Sequence, residues 1–238
     1  MKMVKMGLAL ILVLAGVTGL RAQTADDIVN KYIDAIGGKD KLAKVKTFYS
    51  ESTTQVMGQE GPSNLTIVKG VGYKLSSEMS GQSIVMVITD NGGWQINPYA
   101  GATTPTALPD AAVKQGKDKL DPFGPLYDYA AKGNKVELIG KEGGAYKLKV
   151  TNAGAAETMV YIDTASFYMT KVSINQEFMG QMMEISSSYS DFKKGDLDII
   201  FPYTIDLSYG GQFNVANSVK KIEINKTIDP SIFVMPKS

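Results

Sequence analysis

The sequence predicts a mainly β protein with a few helices: one curled antiparallel sheet of about 10–11 strands, an incomplete barrel, covered by an N-terminal helix and a central helical insertion. Three observations carry this prediction. From Thr47 onward apolar and polar residues alternate with period 2, as in "AYKLKVT", where Tyr146, Leu148 and Val150 fall on one side and Lys147 and Lys149 on the other. Glycine- and asparagine-rich turn signals divide the alternating stretches. Only one segment near the N-terminus and one in the middle follow helical spacing or lose periodicity.

Taken in order, "MKMVKMGLALILVLAGVTGLRAQ" opens with Lys2 and Lys5 and continues with an apolar run from Met6 to Gly19. That run is short of the ~20 residues a membrane-spanning helix needs. With Leu20-Arg21-Ala22 at its end it reads as a signal peptide over residues 1–22, cleaved after Ala22, and implies export to the periplasm. Residues 23–238 then form a single domain. Thr24 is a candidate N-cap for "ADDIVNKYIDAIGG", with Asp26 and Asp27 in the first turn and Ile28, Tyr32, Ile33 and Ile36 on one face. A second short helical turn, "KDKLAKV", turns Leu42 and Val45 inward.

Among the strands, "GYKLSSEM" places Tyr73, Leu75 and Met79 on one side, and "IFPYTIDLSY" sets Phe201, Tyr203, Ile205, Leu207 and Tyr209 against polar neighbours. Turns are expected at Gly58 to Pro62, Gly81, Asn91-Gly92-Gly93, Gly143-Gly144, Asn152 to Gly154, Gly195 and Gly210-Gly211. Asn91-Gly92-Gly93 should supply the positive φ angles of a tight hairpin. Pro98 should then end the strand and send the chain across the sheet. The stretch Tyr99 to Gly133 reads as a strand-free crossing with one or two short helices, including "PFGPLYDYAAKG". In the last strand Val219, Ile222 and Ile224 slip by one residue, which predicts a β-bulge. Pro202 inside a strand pattern predicts an edge or a bulge beside it.

Composition removes much chemistry. The 238 residues contain neither cysteine nor histidine. A Ser-His-Asp or Cys-His nucleophile, a zinc site built on those side chains, a disulfide and a lipid-modified cysteine are all excluded. Carboxylate, tyrosine or lysine chemistry remains, or no chemistry. The formal charge of +1 turns slightly negative once Lys2, Lys5 and Arg21 are removed, which argues against nucleic acid. Asp196 and Asp198 in "GDLD" hint at a calcium loop but lack further ligands and read as a hairpin turn. Methionines such as Met79 and Met86 suit either an adaptable acyl-binding cavity or gap filling in a curved core. No metal or cofactor is expected.

The stretch "TDNGGWQINPY" matches a family marker at Asp90, Asn91-Gly92-Gly93, Trp94, Asn97, Pro98 and Tyr99. Together with "IVNKYIDAIGGKDKLAKVKT", "FGPLYDYAAKGNKVELIGKE", "AYKLKV" and the closing "IDPSIFVMP", it resembles the LolA-like family of periplasmic lipoprotein carriers and sorting proteins. The resemblance covers nearly all of the mature chain through short motifs. It departs where members carry Lys-Arg-Pro-Asn and this chain has Lys69-Gly70-Val71-Gly72, so an arginine tied to holding the lipoprotein ligand is missing.

The resemblance implies a carrier whose half-barrel shelters a lipid or lipoprotein acyl chain, with membrane-bound donor and acceptor proteins as further candidate partners. The candidate cavity lining is Phe48, Val56, Tyr73, Leu75, Met79, Met86, Trp94 and Ile96, roofed by Phe123 and Leu126. Trp94, the only tryptophan, is either a wall of that cavity or a plain core aromatic. The alternative function is a non-enzymatic envelope sensor or scaffold acting through a protein partner. A carboxylate-dependent hydrolase is the least favoured reading, because no acid pair stands in a recognisable setting.

Overall fold

The computed structural model describes residues 23–178 and 180–237; the expected signal peptide lies outside the described residues. Helix α1 (Ala25–Ala35) begins where expected: Thr24 Oγ1 accepts the Asp27 N–H at 3.1 Å, and the Asp27 carboxylate accepts the Thr24 N–H at 3.1 Å. This reciprocal cap satisfies two donors that the first helical turn leaves unpaired. Ile28, Val29, Tyr32 and Ile33 form its buried stripe. Helix α2 (Lys39–Ala43) follows and buries Leu42.

Thirteen strands make one antiparallel sheet, against the ten or eleven expected. They are β1 Thr47–Val56, β2 Gln59–Val68, β3 Gly72–Met79, β4 Gln82–Thr89, β5 Gly92–Asn97, β6 Ala102–Ala107, β7 Lys135–Glu142, β8 Ala145–Thr151, β9 Glu157–Asp163, β10 Met169–Phe178, β11 Gln181–Lys194, β12 Ile200–Tyr209 and β13 Phe213–Ile224. The spatial order is β6-β5-β4-β3-β2-β1-β13-β12-β11-β10-β9-β8-β7. Two meanders, β1 to β6 and β7 to β13, are therefore joined by the pairing of β1 with β13. The sheet is not closed: β6 and β7 are its two edges. The chain between them crosses from one edge to the other, carrying α3 (Asp110–Gly116), a 3₁₀ turn (Lys117–Leu120) and successive turns to Gly133.

Partners across the ladders share a face, and alternate residues of a strand do not. The face that includes Phe48 and Ile224 continues through Tyr146, Leu148, Val150, Val160, Ile162 and Phe201. There α1, α2, Phe123, Leu126 and Tyr127 pack into one core. Each large aliphatic side chain buried in it contributes roughly 1.5–3 kcal/mol. Phe201 meets Phe48 and Phe123 at ring-centroid distances of 5.6 and 6.4 Å.

Several expectations are corrected here. The crossing is not strand-free, because "ATTPTA" pairs with β5 as β6. Pro98–Ala100 is a 3₁₀ turn that sends the chain back along β5, not across the sheet. The segment "PFGPLYDYAAKG" forms turns and no helix. Gly124 and Asp128 take left-handed φ values of +68° and +48°, which interrupt any helix, and side chains hold two carbonyls of the turns: Lys132 Nζ donates to Gly124 O at 2.8 Å and Asn134 Nδ2 to Pro125 O at 3.2 Å. The first turn is shorter than expected, since Gly61 and Pro62 already belong to β2, opposite Thr54 and Thr53. Asn91, Gly92 and Gly93 have no positive φ; Thr89 pairs with Gly92, so Asp90 and Asn91 make the turn. Gly93 is required for another reason. A Cβ there would come within 2.7 Å of Val87 O and 2.9 Å of Leu108 Cδ1, where the start of the crossing lies on the sheet.

The late irregularities fall where the pattern put them. Glu51 pairs with Lys221 and Ser52 with Val219, leaving Lys220 as the extra residue of a bulge. Pro202 pairs with Phe192 of β11, on a part of β12 beyond its ladder with β13, which runs from Thr204 to Tyr209. It is a local edge inside a central strand. Asp196–Asp198 is a 3₁₀ turn between β11 and β12, with Asp198 held by Lys41 at 3.2 Å and Lys194 at 3.7 Å. No helix among the described residues is long and apolar enough to cross a membrane.

Candidate functional site

The core of helices and turns covers only part of the concave face. Following the ladders outward from Phe48, that face carries Leu65, Tyr73, Leu75 and Met86 on β2 to β4. On the other meander it carries Val215, Leu207, Ile185, Tyr189 and Ile174. All nine are half-buried. The result is a half-buried apolar surface that runs over both meanders on the concave face, beyond the reach of the core of helices and turns. Its hairpin rim carries exposed apolar side chains: Met57 is 86 %, Tyr99 63 % and Met182 69 % exposed.

Of the ten residues expected to line a cavity, the ladders put Phe48, Val56, Tyr73, Leu75, Met79 and Met86 on the concave face. Phe123 and Leu126 roof that same face. Phe48, Phe123 and Leu126 are packed into or against the solid core, whereas Val56, Tyr73, Leu75 and Met86 stay half-open. Met79 is buried at the end of β3.

Trp94 and Ile96 are on the opposite, convex face. Trp94 pairs with Val87, one residue out of phase with Met86, so a single step of the pleat separates the two sides. There Val87, Trp94 and Phe233 form a second core with Val68, Val85, Ile96 and Ile232 around it. Trp94 Nε1–H donates to Phe233 O at 2.9 Å. The 3₁₀ turn Pro230–Phe233 is held by Asp229, which accepts the Ser231 N–H at 2.9 Å. Trp94 is thus a core aromatic under the C-terminal segment and no neighbour of Phe123 and Leu126.

Sequence reasoning missed Ile185, Tyr189 and Lys119. Period-2 alternation through "MEISSSYS" would have found the first two; nothing in the sequence signals the third. Burial pushes the Tyr73 phenol up to about 12, helped by the nearby phenols of Tyr209 and Tyr189. Burial also raises Tyr189, and raises Tyr32, which feels Tyr189 and Asp121. These phenols therefore stay neutral and polar within an apolar wall. Lys119 Nζ stands 5.5 Å from the Tyr73 ring centroid, and desolvation lowers its pKa although its side chain remains reachable by solvent. Asp121 anchors the crossing at this point: its carboxylate meets Lys132 at 3.0 Å and Lys69 at 3.7 Å and accepts the Phe123 N–H at 3.0 Å.

The sequence matches no protein-family model and no curated protein. Solved structures do resemble it. A putative outer membrane lipoprotein-sorting protein domain from Vibrio parahaemolyticus superposes with a TM-score of 0.55 at 10 % identity, covering 87 % of this chain and 94 % of its own. A LolA superfamily protein from Nitrosomonas europaea gives 0.55 at 12 %, with coverages of 90 % and 98 %. A DUF1329 family protein from Desulfovibrio piger gives 0.58 at 9 %, also with 90 % and 98 %.

Proposed function

We propose that this chain, whose fold is LolA-like, is a periplasmic carrier that shelters a lipid or lipoprotein acyl chain in the hollow of its half-barrel. The observation that carries this reading is the run of half-buried apolar residues on the concave face, from Leu75 and Met86 to Leu207 and Val215, left uncovered by α1 and the crossing segment. Burying hydrocarbon against such a wall is worth about 0.8 kcal/mol per methylene. A chain of ordinary length would therefore be held against water without any covalent bond. The work is binding and release, not catalysis: the wall offers phenols and one ammonium amid hydrocarbon. Cargo exchange with membrane-bound donor and acceptor proteins would use the rim of Met57, Tyr99 and Met182.

The test is to purify the protein from its own periplasm without detergent and to weigh it intact by native mass spectrometry. A mass increment that organic extraction releases as lipid is expected. Protein that carries no lipid and fails to take up a fluorescent fatty-acyl probe would overturn the carrier reading and favour a scaffold acting through a protein partner.

A further inference from the structure

Of the crossing segment's lysines, Lys114 and Lys119 carry no ion pair among the described residues, and Lys119 alone of the two stands over an aromatic ring of the concave face. Lys132 and neighbouring Lys69 share Asp121, and Lys117 holds Asp90 at 2.8 Å. Among the described residues no carboxylate faces Lys119; its contact is the Tyr73 ring on the concave face. The 3₁₀ turn that carries it lies against β2, β3 and β4, and the preceding Gly116 sits on Ile88 of that face. Its ammonium therefore borders the hollow. Lys119 is exposed, so water solvates its ammonium, but an anionic head brought by a ligand lying along this wall would gain a charge-assisted hydrogen bond there that an uncharged head would not. The charge of that anion is constrained as well. Among the described residues Lys119 is the one ammonium over the Tyr73 ring, a single point charge that balances a monoanion more closely than a phosphate dianion. One lysine and neighbouring phenols match one carboxylate.

Resting on the carrier reading, we infer that the hollow selects free long-chain fatty acids, with the carboxylate paired to Lys119 and the hydrocarbon lying along Leu75, Met86, Leu207 and Val215. An uncharged chain of the same length gains the wall contacts but leaves the ammonium unpaired. The acid should therefore bind more tightly than its alcohol, and Lys119 should account for the difference.

The test is calorimetric titration of the lipid-stripped protein with oleate and with oleyl alcohol. The variants are Lys119→Met, Lys119→Arg and, as a control for surface charge, Lys114→Met on α3. Lys119→Met should weaken oleate about tenfold, the equivalent of one charge-assisted hydrogen bond, and shift oleyl alcohol by less than about twofold. Lys119→Arg should keep oleate close to the parent value, and Lys114→Met should leave both ligands unchanged. Oleate and oleyl alcohol binding the parent protein equally, or Lys119→Met acting no more strongly than Lys114→Met, would overturn this inference while leaving a carrier of uncharged chains standing. Failure of both ligands to bind the parent would overturn the carrier reading itself and this inference with it.

Discussion

At Tyr73 a single side chain reports the character of the hollow. Its phenol is pushed up to about 12, so the folded state prefers the neutral form more strongly than the unfolded chain does. The sign follows from linkage: the stabilisation is complete below about pH 10 and is lost as pH rises through about 12. A spectrophotometric titration should show a late-ionising phenolate that Tyr73→Phe removes, and the variant should lose less stability between those two pH values than the parent. Gly70 stands, at the same scale, where the sequence resemblance would have placed an arginine. Its φ is +72° and its N–H donates to Leu120 O at 3.0 Å, so this turn docks the crossing segment. Arginine would hold that backbone at a cost of roughly 1–2 kcal/mol. Residue identity was fully legible in the sequence, but the face a residue takes was not. Trp94 and Met86 look equally suited to a cavity wall, and only their register across β4 and β5 separates them.

Among the elements, the crossing segment and the C-terminal turn make opposite use of the sheet. The crossing is tethered at Asp121, whose side chain is 10 % exposed. Asp121→Asn should lower unfolding stability by about 1–3 kcal/mol. It should also speed amide exchange in residues 117–133 more than in the strands beneath, measured by mass spectrometry. Strands exchanging as fast as the segment would disprove a local tether. The C-terminal turn is fixed: Phe233→Ala should cost about 3–5 kcal/mol and shift Trp94 emission to the red as water reaches the indole. In the parent, by contrast, a ligand in the hollow should leave Trp94 emission unchanged, because a full sheet thickness lies between them. Helix α1 was legible because its cap and apolar stripe are local. Strand β6 was not, since "ATTPTA" has no large apolar alternation and exists by pairing with β5. The turns after Asp121 looked helical because Leu126, Tyr127 and Tyr129 suggested a face, but Asp128, with a left-handed φ of +48°, breaks the backbone in the middle of it.

For the whole molecule, the joining of the two meanders is the decisive event. The seam pairs Phe48 with Ile224 and Val56 with Val215, so it forms only after most of the chain has been made. Thr54 Oγ1 donates to Asn217 Oδ1 at 2.6 Å, and Asn217 Nδ2 reaches Ile205 O at 3.3 Å, tying β1, β13 and β12 together. Asn217→Ala should cost about 1–3 kcal/mol by denaturant unfolding, since it strands a part-buried hydroxyl. Refolding should run on the millisecond-to-second scale or slower by stopped-flow circular dichroism, because closing such a distant pair precedes any reward from it; microsecond folding would contradict this. The sequence by itself determined an antiparallel sheet with one apolar face, a capped N-terminal helix, the bulge near Val219 and the exclusion of histidine and cysteine chemistry. Each of these depends on periodicity, on neighbours a few residues apart or on composition alone. Which face each apolar residue takes, how the C-terminal segment seals Trp94 and where Lys119 stands were decided by the tertiary structure. They depend on register between strands and on contacts across the sheet, where a slip of one residue reverses inside and outside without changing the pattern along the chain.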